Sequence, residues 1–114
     1  MSERVAGILL QDMLEAALKI ERYTLGLGRE EFFSDDLIVD AVLRNLEIIG
    51  EAARRIPAKF KSDRPEIDWT RISGLRNRIV HEYFGLDLAI IWQIVSSDLQ
   101  ALKFQLQAAL SEGA

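Results

Sequence analysis

Apolar positions recur every three or four residues along most of this chain and nowhere alternate with the two-residue period of a strand. Over residues 4–24, Val5, Ile8, Leu9, Met13, Ala16, Ala17, Ile20 and Tyr23 trace one face of an amphipathic helix. Leu25-Gly26-Leu27-Gly28 ends it, with glycine where a C-cap belongs. A second helix is expected over residues 36–56. Ser34 or Asp35 offers its N-cap, the acidic pair Asp35-Asp36 suits its first turn, and Pro57 stops it. Its inner stripe is Ile38, Ala41, Val42, Ile48, Ile49, Ala52 and Ile56, with Asn45 projecting into the centre. Val39, Leu43 and Leu46 widen that apolar arc, and Gly50 lies near them. So wide an arc predicts packing against more than one neighbour, and a self-association face would account for it.

Residues 57–68, rich in Lys, Arg, Asp and Pro, form the one substantial connection. Trp69 opens a helical entry through Ile72, Gly74 is where a kink is expected, and a third helix continues to about Gly85. Its apolar face is Leu75, Ile79, Val80 and Phe84; Arg76 and Tyr83 fall inside that face, while Asn77 and His81 lie on its edge. Asp87 can cap a fourth helix, whose stripe is Leu88, Ile91, Val95, Leu99, Leu102, Leu106 and Leu110; residues 111–114 should fray. The pattern predicts an all-α fold, an antiparallel four-helix bundle in one domain spanning residues 1–114, expected to pair as a symmetric homodimer.

Composition narrows the chemistry. A chain of 114 residues can bury roughly two-thirds of its unfolded surface. It has no cysteine and one histidine, which removes disulfides, thiol nucleophiles and thiolate metal sites, and makes a zinc site an unexpected feature. No metal and no cofactor are expected. The amphipathic start is unlike an apolar signal core, and no apolar run approaches a membrane span, so a cytoplasmic protein is expected. The net charge of −4 argues against a broad electrostatic grip on nucleic acid. A local basic region remains: Arg54, Arg55, Lys59, Lys61, Arg64, Arg71, Arg76 and Arg78 are eight of the fourteen cations. The connection reads as a solvated surface. If it touches RNA, Lys59, Lys61 and Arg64 would contact phosphates.

The candidate chemistry gathers between residues 74 and 84. A guanidinium inside an apolar stripe needs a partner, because a buried unpaired charge costs several kcal/mol. Arg76 therefore reads either as a structural arginine held by Glu51 or Glu47, or as a fork of donors for a phosphate. His81 is the one side chain that ordinarily titrates near neutrality. It reads either as an acid–base group or as a helix histidine bonded to Asn77 or facing solvent. Tyr83 reads as a packed ring whose hydroxyl finds an acceptor, and Trp69 and Trp92 read as core anchors. Together Arg76, His81 and Asn77 are the parts required for phosphodiester cleavage without a metal, with the RNA 2′-hydroxyl as internal nucleophile. Arg76 and His81 are five residues apart, roughly 140° around a straight helix. One chain would splay them; two helices paired about a symmetry axis could bring two of each into one cleft.

Arg76-Asn77-Arg78-Ile79-Val80-His81 resembles the Arg-x4-His pattern of the HEPN superfamily, and His81-Glu82-Tyr83 adds the His-x-Tyr extension of HepT-like toxins. Residues 44–53 look like the second-helix block of that family, and Trp69 stands where the family places one before the Gly74-Leu75-Arg76-Asn77 run. The resemblance implies a metal-independent endoribonuclease acting as a homodimer or higher oligomer on an RNA substrate. It places Arg76, His81 and Asn77 in catalysis, with Asn45, Glu51 and Arg78 supporting them. It further implies an MNT-type nucleotidyltransferase antitoxin as partner, which neutralises the toxin by transferring AMP to the motif tyrosine, here Tyr83. The segment between the second and third helices is short, so an RNA-gripping element there would be reduced. Two other readings stay open: a non-catalytic nucleotide- or partner-binding adaptor, and a structural dimer whose Arg76 is fully paired with carboxylates.

Overall fold

A computed structural model describes residues 2–112. Among them there is no strand, and the chain runs α1 (Ser2–Thr24), α2 (Arg29–Phe33), α3 (Asp36–Arg55), α4 (Ala58–Asp63), α5 (Trp69–Glu82), a 3₁₀ turn (Tyr83–Gly85), α6 (Leu88–Gln93), a π turn (Ile94–Asp98) and α7 (Leu99–Ser111). The last three form one continuous rod, so the architecture is the expected helical bundle of α1, α3, α5 and the α6–α7 rod, with two short helices added.

Local chemistry explains most boundaries. Gly26 adopts a positive φ of 79° and ends α1, a conformation other residues rarely accept. Of the two candidate caps for α3, Asp35 is the one used: its carboxylate accepts from the Ile38 amide at 3.1 Å. Asp68 caps α5 through the Arg71 amide at 3.1 Å, and Asp87 caps α6 through the Ala89 amide at 2.9 Å.

Three features depart from the periodicity. The linker after α1 contains a helix, because Phe32 is fully buried with its ring 5.3 Å from that of Trp92. The basic connection contains another, α4, which sets Phe60 edge-on to Trp69 at 6.5 Å. α5 runs through Gly74 as one helix. In the rod, the π turn coincides with two serine hydroxyls donating back to carbonyls, Ser96 to Trp92 at 2.7 Å and Ser97 to Gln93 at 2.8 Å. Such back-bonding competes with the helical ladder and widens it locally. Of the residues expected to fray, Gly113 and Ala114 lie outside the described residues, while Glu112 is ion-paired with Arg64.

The core is one contiguous cluster running from Leu9, Leu10 and Met13 through Val42, Leu46 and Ile49 to Ile79, Ile91 and Leu106. Each such side chain contributes about 1.5–3 kcal/mol by leaving water. The wide apolar arc of α3 is consumed here: Val39, Leu43 and Leu46 are all buried within the chain, which packs α1, α2 and α5 around α3. Self-association is not needed to explain it.

Candidate functional site

The site begins with a glycine. A Cβ at Gly50 would stand 2.3 Å from Cβ of Arg76 and 3.0 Å from the Ile72 carbonyl, so only glycine lets α3 and α5 approach this closely. That approach presses the root of Arg76 onto α3 while Ile79, one turn on, fills the core. The Arg76 guanidinium lies between two neighbours. Its Nε is 3.0 Å from Oε2 of Glu51, an ion pair in distance although the N–H is not aligned as a hydrogen bond. Its Nη1 donates to Oδ1 of Asn77 at 3.2 Å. Glu51 is shared, since Nη1 of Arg54 is 3.5 Å from the same oxygen. The Arg76 side chain keeps 25% of its surface exposed. It opens on a notch of about 320 Å³ between α1, α3 and α5 that also carries Asp12, Arg44, Glu47 and Arg55.

Asn77, His81 and Val80 face outward, away from the Ile79 side that meets α3. His81 makes no hydrogen bond to Asn77; its ring faces solvent, and the Asn77 carbonyl serves Arg76 instead. Arg76 and His81 thus point apart, as their five-residue separation requires, and a single chain does not bring them together. Arg78 is exposed, pairs with Glu82 at 3.7 Å, and lines a different cleft. That cleft, about 600 Å³ and mostly apolar, separates α5 from the rod and is bridged by an Arg71–Asp98 ion pair of 2.8 Å.

Asn45 does not join the motif. It is buried, and its Nδ2 donates to the Ala41 carbonyl at 2.8 Å, one turn back on its own helix. Arg64, expected at the surface of the connection, pairs with Glu112 and lies 5.3 Å over the Phe60 ring. Trp69 and Trp92 do anchor the core, with the Trp69 indole donating to the Arg64 carbonyl at 3.0 Å.

The 3₁₀ turn places the last motif residue. The Tyr83 hydroxyl donates to Oδ1 of Asp40 on α3. That hydrogen bond holds the phenol above its ordinary ionisation range, with partial burial and the Asp40 charge acting in the same direction. Sequence reasoning missed Asp40. Its signal was a polar stripe on α3, Asp40, Arg44, Glu47, Glu51 and Arg55, spaced by three and four beside the apolar arc. The motif between Arg76 and Tyr83 is therefore tied to α3 by a carboxylate at each end.

Comparison with known proteins adds a family. The family described as "Ribonuclease HepT-like" matches residues 13–109. A Thermococcus cleftensis protein provisionally named ribonuclease HepT is 42% identical over 94 residues, covering 82% of this chain and 86% of that one. A Methanocaldococcus jannaschii protein named as a candidate RNase is 38% identical over 107 residues, covering 94% of this chain and 98% of that one. A Caldanaerobacter subterraneus protein with the same kind of name is 35% identical over 98 residues, 86% of this chain and 87% of that one. No solved structure matches the chain significantly.

Proposed function

The chain belongs to the HepT-like ribonuclease family, and on that ground we propose that it is a metal-independent RNA endonuclease, the toxin of a toxin–antitoxin pair. The observation that carries the reading is the splayed pair on α5. Arg76 is held with its fork partly open, and His81 stands in solvent with no hydrogen-bond partner among the described residues. Neither completes a site alone. Two copies pairing their outward α5 faces about a two-fold axis would place both Arg76 and both His81 side chains along one cleft.

In that cleft a neutral His81 takes the proton of the RNA 2′-hydroxyl as its oxygen attacks the adjacent phosphorus. The bond to the 5′-oxygen breaks, and a protonated His81 of the other copy returns a proton to the leaving oxygen. The product pair is a 2′,3′-cyclic phosphate and a 5′-hydroxyl. Arg76 meets the negative charge that builds on the phosphorane oxygens. Asn77 fixes the rotation of the Arg76 fork, and Glu51 steadies its root. The neutralising partner is an MNT-type nucleotidyltransferase that transfers AMP to Tyr83. The added phosphate and adenosine, two residues past His81, would obstruct the approach of RNA.

The Arg76–Glu51 pair favours a second reading, in which the arginine is structural and the chain an adaptor without activity. Mixing experiments separate the two. Arg76→Ala and His81→Ala should each abolish cleavage with helicity intact. Dimers mixed from the two inactive variants should recover part of the activity and no more. One intact Arg76 and one intact His81 then share a cleft, while the second His81, and with it one of the two proton transfers, is missing. Full cleavage by either variant alone would overturn the mechanism. A chelator should leave cleavage unchanged.

A further inference from the structure

Asp40 has no part in the packing of the core or in the cleavage step. It is exposed, forms no ion pair among the described residues, and accepts the hydroxyl of Tyr83 from forty-three residues further along the chain. Transfer of a nucleotidyl group to Tyr83 requires the phenol to lose its proton as the new oxygen–phosphorus bond forms. We propose that Asp40 accepts that proton, so that the chain supplies the general base for its own modification. This rests on the reading of Tyr83 as the site of nucleotidyl transfer.

The step balances without any group beyond a nucleoside triphosphate. Oη of Tyr83 attacks the α-phosphorus, the bond from that phosphorus to the bridging oxygen breaks, and pyrophosphate leaves. The phenolic proton passes along the existing hydrogen bond to Oδ1 of Asp40 and is then lost to water. A phenol held above its ordinary value of 10.0 does not ionise at neutral pH before the reaction. Its proton must leave during bond formation, which is the circumstance in which a positioned base matters. The product cannot restore the contact. The tyrosyl oxygen has no proton left to donate, and its phosphodiester carries a negative charge toward the Asp40 carboxylate. Modification therefore removes the Tyr83–Asp40 contact at the end of the motif helix, in addition to placing an obstacle at the cleft.

The test is a single-turnover assay of the whole chain with an excess of its MNT-type transferase and α-labelled ATP. The unsubstituted chain should be labelled, and Tyr83→Phe should not. Asp40→Asn should be labelled about a hundredfold more slowly or worse, with transferase affinity and circular dichroism unchanged, and Asp40→Glu should recover most of the rate. No label on the unsubstituted chain, or label persisting in Tyr83→Phe, would overturn the modification reading itself. Labelling of Tyr83 at an undiminished rate in Asp40→Asn would overturn the role of Asp40 alone. So would a slower rate accompanied by weakened transferase binding, which would assign Asp40 to docking.

Discussion

Two side chains of the motif depend on a neighbour for their geometry, and each neighbour is a carboxylate of α3. Glu51 and Arg76 are both partly exposed, so their ion pair is worth at most about 1 kcal/mol in stability. Its effect is on direction: with Asn77 it fixes where the guanidinium points. A lysine at this position keeps the charge but loses the planar fork. Arg76→Lys should therefore unfold within about 1 kcal/mol of the unsubstituted chain while cleaving RNA at least about tenfold more slowly, given that general penalty for lost bidentate contact. Retained cleavage would show that charge alone suffices. At the other end, the Asp40–Tyr83 contact stabilises the fold while the phenol keeps its proton. It is fully present below pH 10.0 and is lost as pH rises through the higher folded value. In a Tyr23→Phe background, which leaves one tyrosine, Asp40→Asn should lower the midpoint of phenolate absorbance. An unchanged midpoint would mean that the hydrogen bond does not form in solution.

Between elements, the decisive contact is the crossing of α3 and α5 at Gly50. Alanine there puts a methyl group 2.3 Å from Cβ of Arg76, backbone-rooted on a helix that cannot rotate without lifting Ile79 from the core. Gly50→Ala should destabilise by about 1–3 kcal/mol, the usual cost of overpacking, and lower the thermal midpoint by several degrees. It should also reduce cleavage, because Arg76 moves with the helix. A second crossing is held by α2, where the fully buried Phe32 meets Trp92 of α6. Phe32→Ala should cost about 3–5 kcal/mol and leave the motif residues in place. Thermal melts of the two variants, set beside their activities, separate a packing defect that touches the site from one that does not. Helix periodicity pointed to α1, α3, α5 and the rod, and Asp35 and Asp87 marked the caps of α3 and of the rod. It passed over α2 and α4, since five or six residues are too few to show a 3.6-residue period. It also passed over the π turn, which coincides with two serine hydroxyl–carbonyl bonds.

At the scale of the whole molecule, the proposed cleft requires a second copy to dock on the outward face of α5. It presents Asn77 and His81 with Val80, which is 42% exposed between them and Tyr83. An exposed valine among the side chains proposed for catalysis is a contact that one substitution can test. Val80→Glu should leave the helical content and thermal midpoint nearly unchanged, since the residue lies outside the core. It should convert a dimer to monomers in sedimentation and abolish cleavage. Cleavage per chain in the unsubstituted protein should likewise fall on dilution through the dissociation range. A monomer of full activity would place both the Arg76 and His81 roles within one chain and overturn the proposal of a shared cleft.

Hydrophobic period and end-capping residues are local properties, so the sequence by itself determined the all-α class, the four long segments, and the 140° separation of Arg76 and His81. The motif residues were also legible there, because their types and spacing lie within two turns of one helix. What they touch was not. The choice of Glu51 over Glu47 for Arg76, the withdrawal of Asn45 into its own helix, and the meeting of Tyr83 with Asp40 all depend on how α5 lies across α3. That crossing is set by the missing side chain at Gly50 and by Ile79 filling the core beside it. A chain states which groups it carries and at what angles around each helix; only packing brings residues forty or more positions apart within hydrogen-bonding distance.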